Sequence, residues 1–256
     1  MAEKVKEQAK ILRQEEIAPD IYSLWIQTEE IAARARAGQF ISIYCEDKSR
    51  MLPRPISICE IDRENGALRM VYRIAGKGTE EFSKKKAGDS LAVLGPLGNG
   101  FPLGKKRAFL IGGGIGIPPM LELAKELDCE KQIILGYRDS ETFLLDELKA
   151  QGRVYIATED GSLGTKGNVI DAIRENGLEA DVIYACGPTP MLRALKAFAL
   201  ERQMECWISM EEKMACGIGA CLACVCRSTE VDEHTNVHNK RVCKEGPVFD
   251  AREVEL

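Results

Sequence analysis

AFLIGGGIGIPP, residues 108–119, decides the fold of this chain. Residues 108–111 are apolar and make a short buried strand. Gly112, Gly113 and Gly114 stop it, and Gly116 keeps the turn small. Pro118 and Pro119 then suit the first turn of a helix, where a missing N–H costs nothing. Strand, glycine turn and helix form one unit of a βα repeat, and the rhythm continues toward the C-terminus. Helices are predicted over 118–127, 142–150, 169–175 and 190–202, and further strands over 132–135, 154–157, 181–185 and 205–208. Five apolar runs alternating with helices predict a doubly wound parallel α/β sheet over residues 102–209. Ligands of such sheets sit at the carboxyl ends of the strands, where Gly112, Gly136, Thr158 and Cys186 fall.

Working back from this stretch, residues 1–101 read differently. Short apolar or alternating runs recur at 21–26, 40–44, 56–61, 68–74 and 90–94, separated by turn signals such as Glu64-Asn65-Gly66 and Ala87-Gly88-Asp89. Many short strands at that spacing predict a small antiparallel β-barrel or sandwich, and the barrel is the architecture expected here. GPLGNG, residues 95–100, marks the junction. The opening MAEKVKEQAKILRQEE is charged throughout and lacks the apolar core of a signal peptide, and the first predicted run begins after it. Working forward, regular patterning stops after Met210. Residues 210–256 are too poor in apolar periodicity to hold themselves together and predict a small third unit built on a metal.

Composition narrows the function. Of 256 residues, 45% are apolar and 29% charged, which excludes disorder, collagen and coiled coil for the bulk of the chain. The net charge of -5, with no long basic run, argues against a nucleic-acid partner. The longest uncharged run, 108–121, is too short and too rich in glycine and proline to span a membrane. A cytoplasmic location is therefore expected. Ten cysteines then need a reason, and five of them (Cys216, Cys221, Cys224, Cys226 and Cys243) lie in the last 41 residues. A lopsided cluster in a reducing compartment points to metal rather than disulfides.

Cys216, Cys221 and Cys224 are spaced C-x4-C-x2-C, and Cys243 follows after eighteen intervening residues. This is the plant-type 2Fe–2S ligand spacing: a tight loop supplies three thiolates and a distant fourth closes the far iron. Gly217, Gly219, Ala220 and Ala223 let the backbone wrap the sulfides and donate N–H bonds to them. The alternative is zinc held by Cys221, Cys224, His234 and His238 in an adaptor without redox activity. Its central spacing of nine residues is short for a finger, and it leaves Cys216 and Cys243 without a role. Cys226 is a nearby fifth thiol that competes with Cys224. The two histidines read as loop residues of an exposed hairpin.

Three further segments carry binding chemistry. Arg54-Pro55-Ile56-Ser57 lies in a predicted barrel strand, and alone it reads equally as an ordinary edge strand. Val71-Tyr72-Arg73 ends a second strand in a guanidinium, and Gly76-Lys77-Gly78-Thr79 precedes a helical run at 80–86, an anion-binding start. Arginine suits a diphosphate because it offers bidentate donors, and Ser57 offers a hydroxyl to a flavin ring nitrogen. The glycine loop at 112–116 is not a strict GxGxxG, and alone it also reads as a glycine-rich helix entry of no function. Asp160, in TEDGS, and Cys186-Gly187-Pro188 follow later strands and converge with it on one crevice, with Cys186 near a nicotinamide. Asp139 favours NAD over NADP because a carboxylate repels a 2′-phosphate, and Arg138 beside it opposes that preference.

The order of a barrel with RPIS, then GGGIGIPP, TEDGS, CGP and a cysteine-rich end resembles the ferredoxin-reductase-like flavoproteins. Within them, MEEKMACGIGACLACVC (210–226) and VCKEGPVFD (242–250) resemble the electron-transfer subunits of NAD-dependent, two-subunit dihydroorotate dehydrogenases. The resemblance covers essentially the whole chain. It implies FAD, one 2Fe–2S cluster, NAD as co-substrate, and a partner catalytic subunit carrying FMN in a heterotetramer of two copies each. It also implies electron flow from FMN through the cluster and FAD to NAD+ in pyrimidine biosynthesis. Related subunits of NADPH:ferredoxin and sulfide-dehydrogenase complexes share the fold. Two departures stand out. A long insertion separates Cys224 from Cys243, and Ile56 stands where many relatives carry a flavin-stacking aromatic, a role that falls to Tyr72. Met214 and Leu222 are expected at the partner interface.

Overall fold

The computed structural model describes residues 4–231 and 236–256. Six strands, β1 (Val5–Ala18), β2 (Ile21–Gln27), β3 (Phe40–Ile43), β4 (Arg54–Asp62), β5 (Ala67–Arg73) and β6 (Ser90–Leu97), close an antiparallel barrel in the order β1-β2-β5-β4-β3-β6. The expected barrel is present, but its longest stave lies in the charged N-terminal stretch. β1 pairs with β2 along one edge and β6 along the other, and so closes the sheet. Lys6 and Lys10 are exposed on the outer face, while Ala9 and Ile11 point in. Two short helices, α1 (Glu29–Arg34) and α2 (Lys77–Ser83), give Ile31 and Phe82 to the same core as Leu24, Ile41, Ile43, Ile58 and Met70.

The second sheet is the expected parallel one. It holds β7 (Ala108–Gly113), β8 (Lys131–Tyr137), β9 (Arg153–Thr158), the two-residue β10 (Thr165–Lys166), β11 (Val182–Cys186) and β12 (Glu205–Ser209). Helices α3 (Pro118–Glu126), α4 (Leu145–Lys149), α5 (Val169–Glu175) and α6 (Thr189–Glu201) connect them. α5 starts where Asn168 accepts from the N–H groups of Ile170 and Asp171 while the Asp171 carboxylate accepts from Asn168 N–H, a reciprocal cap. α4 is shorter than expected, because Phe143 and Leu144 tuck into the core in non-helical backbone and the Tyr137 hydroxyl donates to Phe143 C=O at 2.8 Å. The chain leaves β7 in one direction through β8, β9 and β10, then returns to its other side with β11. The switch point therefore lies between β7 and β11, where Gly112 pairs with Cys186.

Residues beyond Met210 fold into β13 (Val225–Cys226), β14 (Lys240–Arg241) and β15 (Val248–Asp250). β13 and β14 make a small antiparallel ribbon, while β15 joins the parallel sheet antiparallel to β12. Asn99, just past the barrel, clamps this segment. Its N–H donates to Gly246 C=O at 2.7 Å, and its side chain bonds both polar groups of Val248 and the Glu245 carbonyl. A second set of bonds ties barrel to parallel sheet. Glu122 of α3 accepts from Ile61 N–H of β4 at 2.9 Å, and buried Arg69 of β5 pairs with Glu60 and with Glu147 of α4. Among the described residues no helix is long and apolar enough to cross a membrane.

Candidate functional site

Arg54 opens β4 beside the first turn of α2. Gly78 leaves room for it, since a Cβ there would come within 2.4 Å of Arg54 Nε in its present place. The guanidinium is thus held against the α2 entry and also donates to Leu52 C=O. The helix itself begins at Lys77, earlier than the predicted 80–86. Thr79 brings this about: its hydroxyl accepts from Ala75 N–H (2.9 Å) and Gly76 N–H (3.2 Å), which tightens the turn. Arg54, Pro55, Arg50 and Lys77 border an open cavity of about 740 Å³, with Met214 of the C-terminal segment on its far wall. Arg50 is a residue the sequence reading missed. It donates to Lys77 C=O at 2.8 Å and pairs with Glu81, contacts that no local motif announces.

The remaining barrel residues divide between roles. Ser57 pairs with Phe40, whose ring belongs to the core shared with the cysteine segment, so Ser57 sits on the outer face of the barrel. Ile56 packs partly into the barrel interior. Tyr72 is 2% exposed, stacks on Tyr22 at 5.9 Å, meets Phe82 edge-on and donates to Gln14 Oε1 at 3.1 Å. Its ring is a core group, and the expectation that it stacks on a flavin is corrected: alternation along β5 turns it inward. Val71 points the other way, into the core between barrel and parallel sheet. Arg73 is exposed and lines the crevice described next rather than the Arg54 cavity.

That crevice, about 580 Å³, runs along the carboxyl ends of β7, β8 and β9. Gly113, Gly114, Gly136, Arg138, Asp139 and Pro188 line it, with Asp20 and Arg73 contributed by the barrel. The glycines have a steric reason. A Cβ on Gly116 would lie 2.4 Å from the Cys186 carbonyl, and one on Gly113 would lie 2.6 Å from Met191 Sδ. The loops at 112–116 and 186–188 therefore pack directly on one another, as the strand order requires. Gly112 packs on Ile117 beneath them, and Gly187 on Met191. Cys186 is buried, and burial, reinforced by the Glu211 charge, pushes its thiol up to about 12. At neutral pH it is a neutral thiol buried beneath the loops. Asp160 departs from expectation: its carboxylate accepts from Ser162 N–H and hydroxyl at 2.9 and 2.7 Å and shapes its own turn, while Glu159 faces the crevice instead. A third cavity, about 590 Å³, lies between the Gly187-Pro188-Thr189 turn and the β13 ribbon. Glu212 borders both this cavity and the one at Arg54.

The four expected ligands come together as two pairs. Cys216 and Cys221 sulfurs are 3.3 Å apart, and Cys243 N–H approaches Cys224 Sγ at 3.5 Å. Two thiols per iron is what a two-iron cluster asks of its protein. The loop donates to the sulfurs: Ile218 and Cys221 N–H groups reach Cys216 Sγ at 3.5 and 3.4 Å. Burial alone would raise the Cys216 thiol, but these amides pull it down to about 6. Cys243 is pushed up to about 12, first by burial and then by the Cys224 thiol, so it loses its proton only in exchange for a metal. Gly217 (φ +68°) and Gly219 (φ +84°) adopt the left-handed backbone that wraps the loop. Cys226 turns away and donates toward Lys240 C=O at 3.5 Å within the ribbon. Its thiol is pushed up to about 11 by burial, which leaves it a packing residue. His238 bonds Ser228 C=O through Nδ1, and His234 lies outside the described residues. Among the described residues, no three His, Cys, Asp or Glu side chains converge as a single ion would need.

Comparison with known proteins follows this geometry unit by unit. Residues 8–101 match the oxidoreductase FAD-binding domain, 110–197 the oxidoreductase NAD-binding domain, and 211–255 the iron–sulfur cluster binding domain of dihydroorotate dehydrogenase B. The dihydroorotate dehydrogenase B (NAD(+)) electron transfer subunit of Geobacillus sp. WCH70 is 43% identical over 260 residues, covering 98% of this chain and 99% of that one. Its counterpart from Listeria monocytogenes serovar 1/2a is 45% identical over 256 residues, covering 96% and 98%. Among solved structures, an NADH-dependent reduced ferredoxin–NADP oxidoreductase superposes with a TM-score of 0.87 at 30% identity, over 96% of this chain and 89% of that one. A ferredoxin–NADP+ reductase from Neisseria gonorrhoeae (TM-score 0.64, 21% identity, 77% and 91% covered) shares the barrel-and-sheet fold. The cofactors of this oxidoreductase subunit are FAD, an iron–sulfur cluster and NAD. With its fold, cofactor units and full-length relatives in agreement, the chain belongs to the family of dihydroorotate dehydrogenase B (NAD(+)) electron transfer subunits.

Proposed function

We propose that this chain carries electrons from the FMN of a catalytic dihydroorotate-oxidising partner to NAD+, in a cytoplasmic assembly of two copies of each subunit. The observation that supports it best is the position of residues 211–214. Glu212 borders both the Arg54 cavity and the cavity at Gly187-Pro188, and the cysteine loop begins immediately after this segment. Bound here, FAD would convert single electrons arriving from a 2Fe–2S cluster into the hydride that NAD+ accepts. The chain's residues bind, orient and exclude water. Arg54 and Gly78, with Thr79 shaping the turn, hold the FAD diphosphate. Pro55 and Ser57 border the flavin ring, with Ile56, Val71 and Tyr72 behind them. Gly112, Gly113, Gly114, Gly116, Gly187 and Pro188 let a dinucleotide approach the backbone, with Arg73 at the mouth. Asp139 faces its ribose. Cys216, Cys221, Cys224 and Cys243 hold the cluster. The units divide at 1–101, 102–209 and 210–256.

Reconstitution tests the reading. The isolated chain is expected to oxidise NADH with an artificial acceptor but not to oxidise dihydroorotate. Adding an FMN-containing, dihydroorotate-oxidising subunit is expected to create dihydroorotate-dependent NAD+ reduction that requires the cluster. The likeness to the NADH-dependent reduced ferredoxin–NADP oxidoreductase supports a second reading, as a subunit that exchanges electrons with ferredoxin. Ferredoxin-dependent reduction of NADP+ by the copurified complex, with no dihydroorotate oxidation, would replace the first reading with the second.

A further inference from the structure

Ser42 is the one described residue whose side chain carries a buried polar atom without a hydrogen-bond partner in the structure. It is 1% exposed. Buried hydroxyls are rarely left alone, because desolvation without a partner is costly. On β3, Ile41 and Ile43 enter the barrel core, while Phe40 enters the core shared with Cys224, Val242 and Cys243. Alternation puts Ser42 on the Phe40 side, facing the C-terminal segment. Its cross-strand partners are Pro55, in the RPIS strand, and Leu94. Gly217, the residue after Cys216, lies directly over it: a Cβ there would come within 2.9 Å of Ser42 Oγ. The loop is pinned in that position, since Lys4 donates to Ile218 C=O at 3.0 Å and Arg241 to Gly219 C=O at 2.9 Å.

The surroundings narrow what the hydroxyl is for. Proline has no N–H, Leu94 and Leu97 are apolar, and the backbone of β3 is committed to its two ladders. The loop lying over the hydroxyl carries Cys216 one residue away, so the sulfur set anchored there lies on this side. We propose that Ser42 is a positioning residue whose hydroxyl donates a hydrogen bond to the cluster's sulfur set and raises its reduction potential. It would thereby set the driving force between cluster and flavin at the point where the barrel and the cysteine loop meet. A donor to sulfur favours the reduced cluster, which carries one more negative charge. The inference rests on the reading that this chain holds a 2Fe–2S cluster.

The test is a redox titration of the full chain, loaded with FAD and cluster, as wild type, Ser42→Ala and Ser42→Thr. The reduced cluster is followed by its paramagnetic signal and the flavin by its absorption. In Ser42→Ala the reduced-to-oxidised ratio of the cluster at a fixed ambient potential should fall about three- to tenfold, tenfold being 59 mV for one electron. Iron content and flavin potential should stay as in wild type, and Ser42→Thr, which keeps the hydroxyl, should retain the wild-type cluster potential. An unchanged cluster potential in Ser42→Ala, an equal fall in Ser42→Thr, or a shift confined to the flavin would overturn the proposal. A wild-type chain with no 2Fe–2S signal would defeat the functional reading itself, before any variant is compared.

Discussion

At the scale of single residues, the cysteine loop shows how position separates thiols of equal chemistry. Cys224 and Cys226 are two residues apart, yet one faces Cys243 and the other a ribbon carbonyl. Replacing Cys216, Cys221, Cys224 or Cys243 by Ser should each abolish the reduced 2Fe–2S paramagnetic signal, whereas Cys226→Ser should preserve it. Loss of signal in Cys226→Ser with retention in Cys224→Ser would reverse the ligand assignment. Arg54 lends itself to a second test, because its guanidinium is held by Gly78 beneath it and Leu52 C=O beside it. Arg54→Ala removes a charge-assisted contact of about 1.5–3 kcal/mol, so the flavin should wash out on dilution. Absorption of the gel-filtered variant reads this directly, and a full flavin complement would contradict the assignment. The pairing of the four cysteines and the place of Arg54 beside the α2 turn were legible in the sequence because spacing and neighbours announce them. The inward turn of Tyr72 and the self-directed turn of Asp160 were not. Which face of a strand or loop a side chain takes depends on register with distant partners.

At the scale of elements, the helix after the glycine loop does more than frame a nucleotide. α3 lays Glu122 into the seam with the barrel, where its carboxylate accepts Ile61 N–H and has Arg63 at 3.6 Å. Burial outweighs these contacts and pushes Glu122 up to about 7. The sign follows from linkage. The folded chain holds this proton more tightly than the unfolded one, so the stability it confers is complete below about pH 4.5 and is lost as pH rises through about 7. Glu122→Gln keeps an acceptor for Ile61 and removes the ionisation. Its melting temperature relative to wild type should therefore climb between those pH values and level off above, with an upper bound of about 3 kcal/mol. Parallel pH-dependent thermal melts would show this, and a pH-independent difference would refute it. The parallel strands were readable from continuous apolar runs. β1 was hidden because a barrel stave wetted on one face can be mostly Lys and Glu. β15 was hidden because three residues carry no period. α4 was overdrawn because Phe143 and Leu144 suit a helix but are used to fill the core.

At the scale of the whole molecule, the surface around the cysteine loop is apolar where charge would be expected. Leu222 is 60% exposed and Ile218 40%, with Val225 beside them in sequence. Met214, expected with Leu222 at an interface, is half-buried within the chain and borders the Arg54 cavity. Exposed aliphatic side chains next to a redox group fit a docking face for the catalytic partner. Leu222→Glu should weaken assembly with that subunit by tenfold or more while leaving NADH oxidation by the isolated chain unchanged. Gel filtration of the mixed subunits and a diaphorase assay measure the two effects separately. Undiminished assembly would place the docking face elsewhere.

The C-terminal strand has a consequence for the solubility of the subunit. β15 covers β12, whose Trp207, Ile208 and Ser209 would otherwise form the bare edge of the parallel sheet. The chain that delivers β15 is held by the Asn99 clamp and by Val242, Phe249, Ala251 and Val254 in the shared core. A chain cut before this segment would therefore expose an uncapped sheet edge, and such edges recruit strands from other molecules. Integrity of the C-terminal segment would then govern not only redox competence but also whether the subunit stays soluble or aggregates.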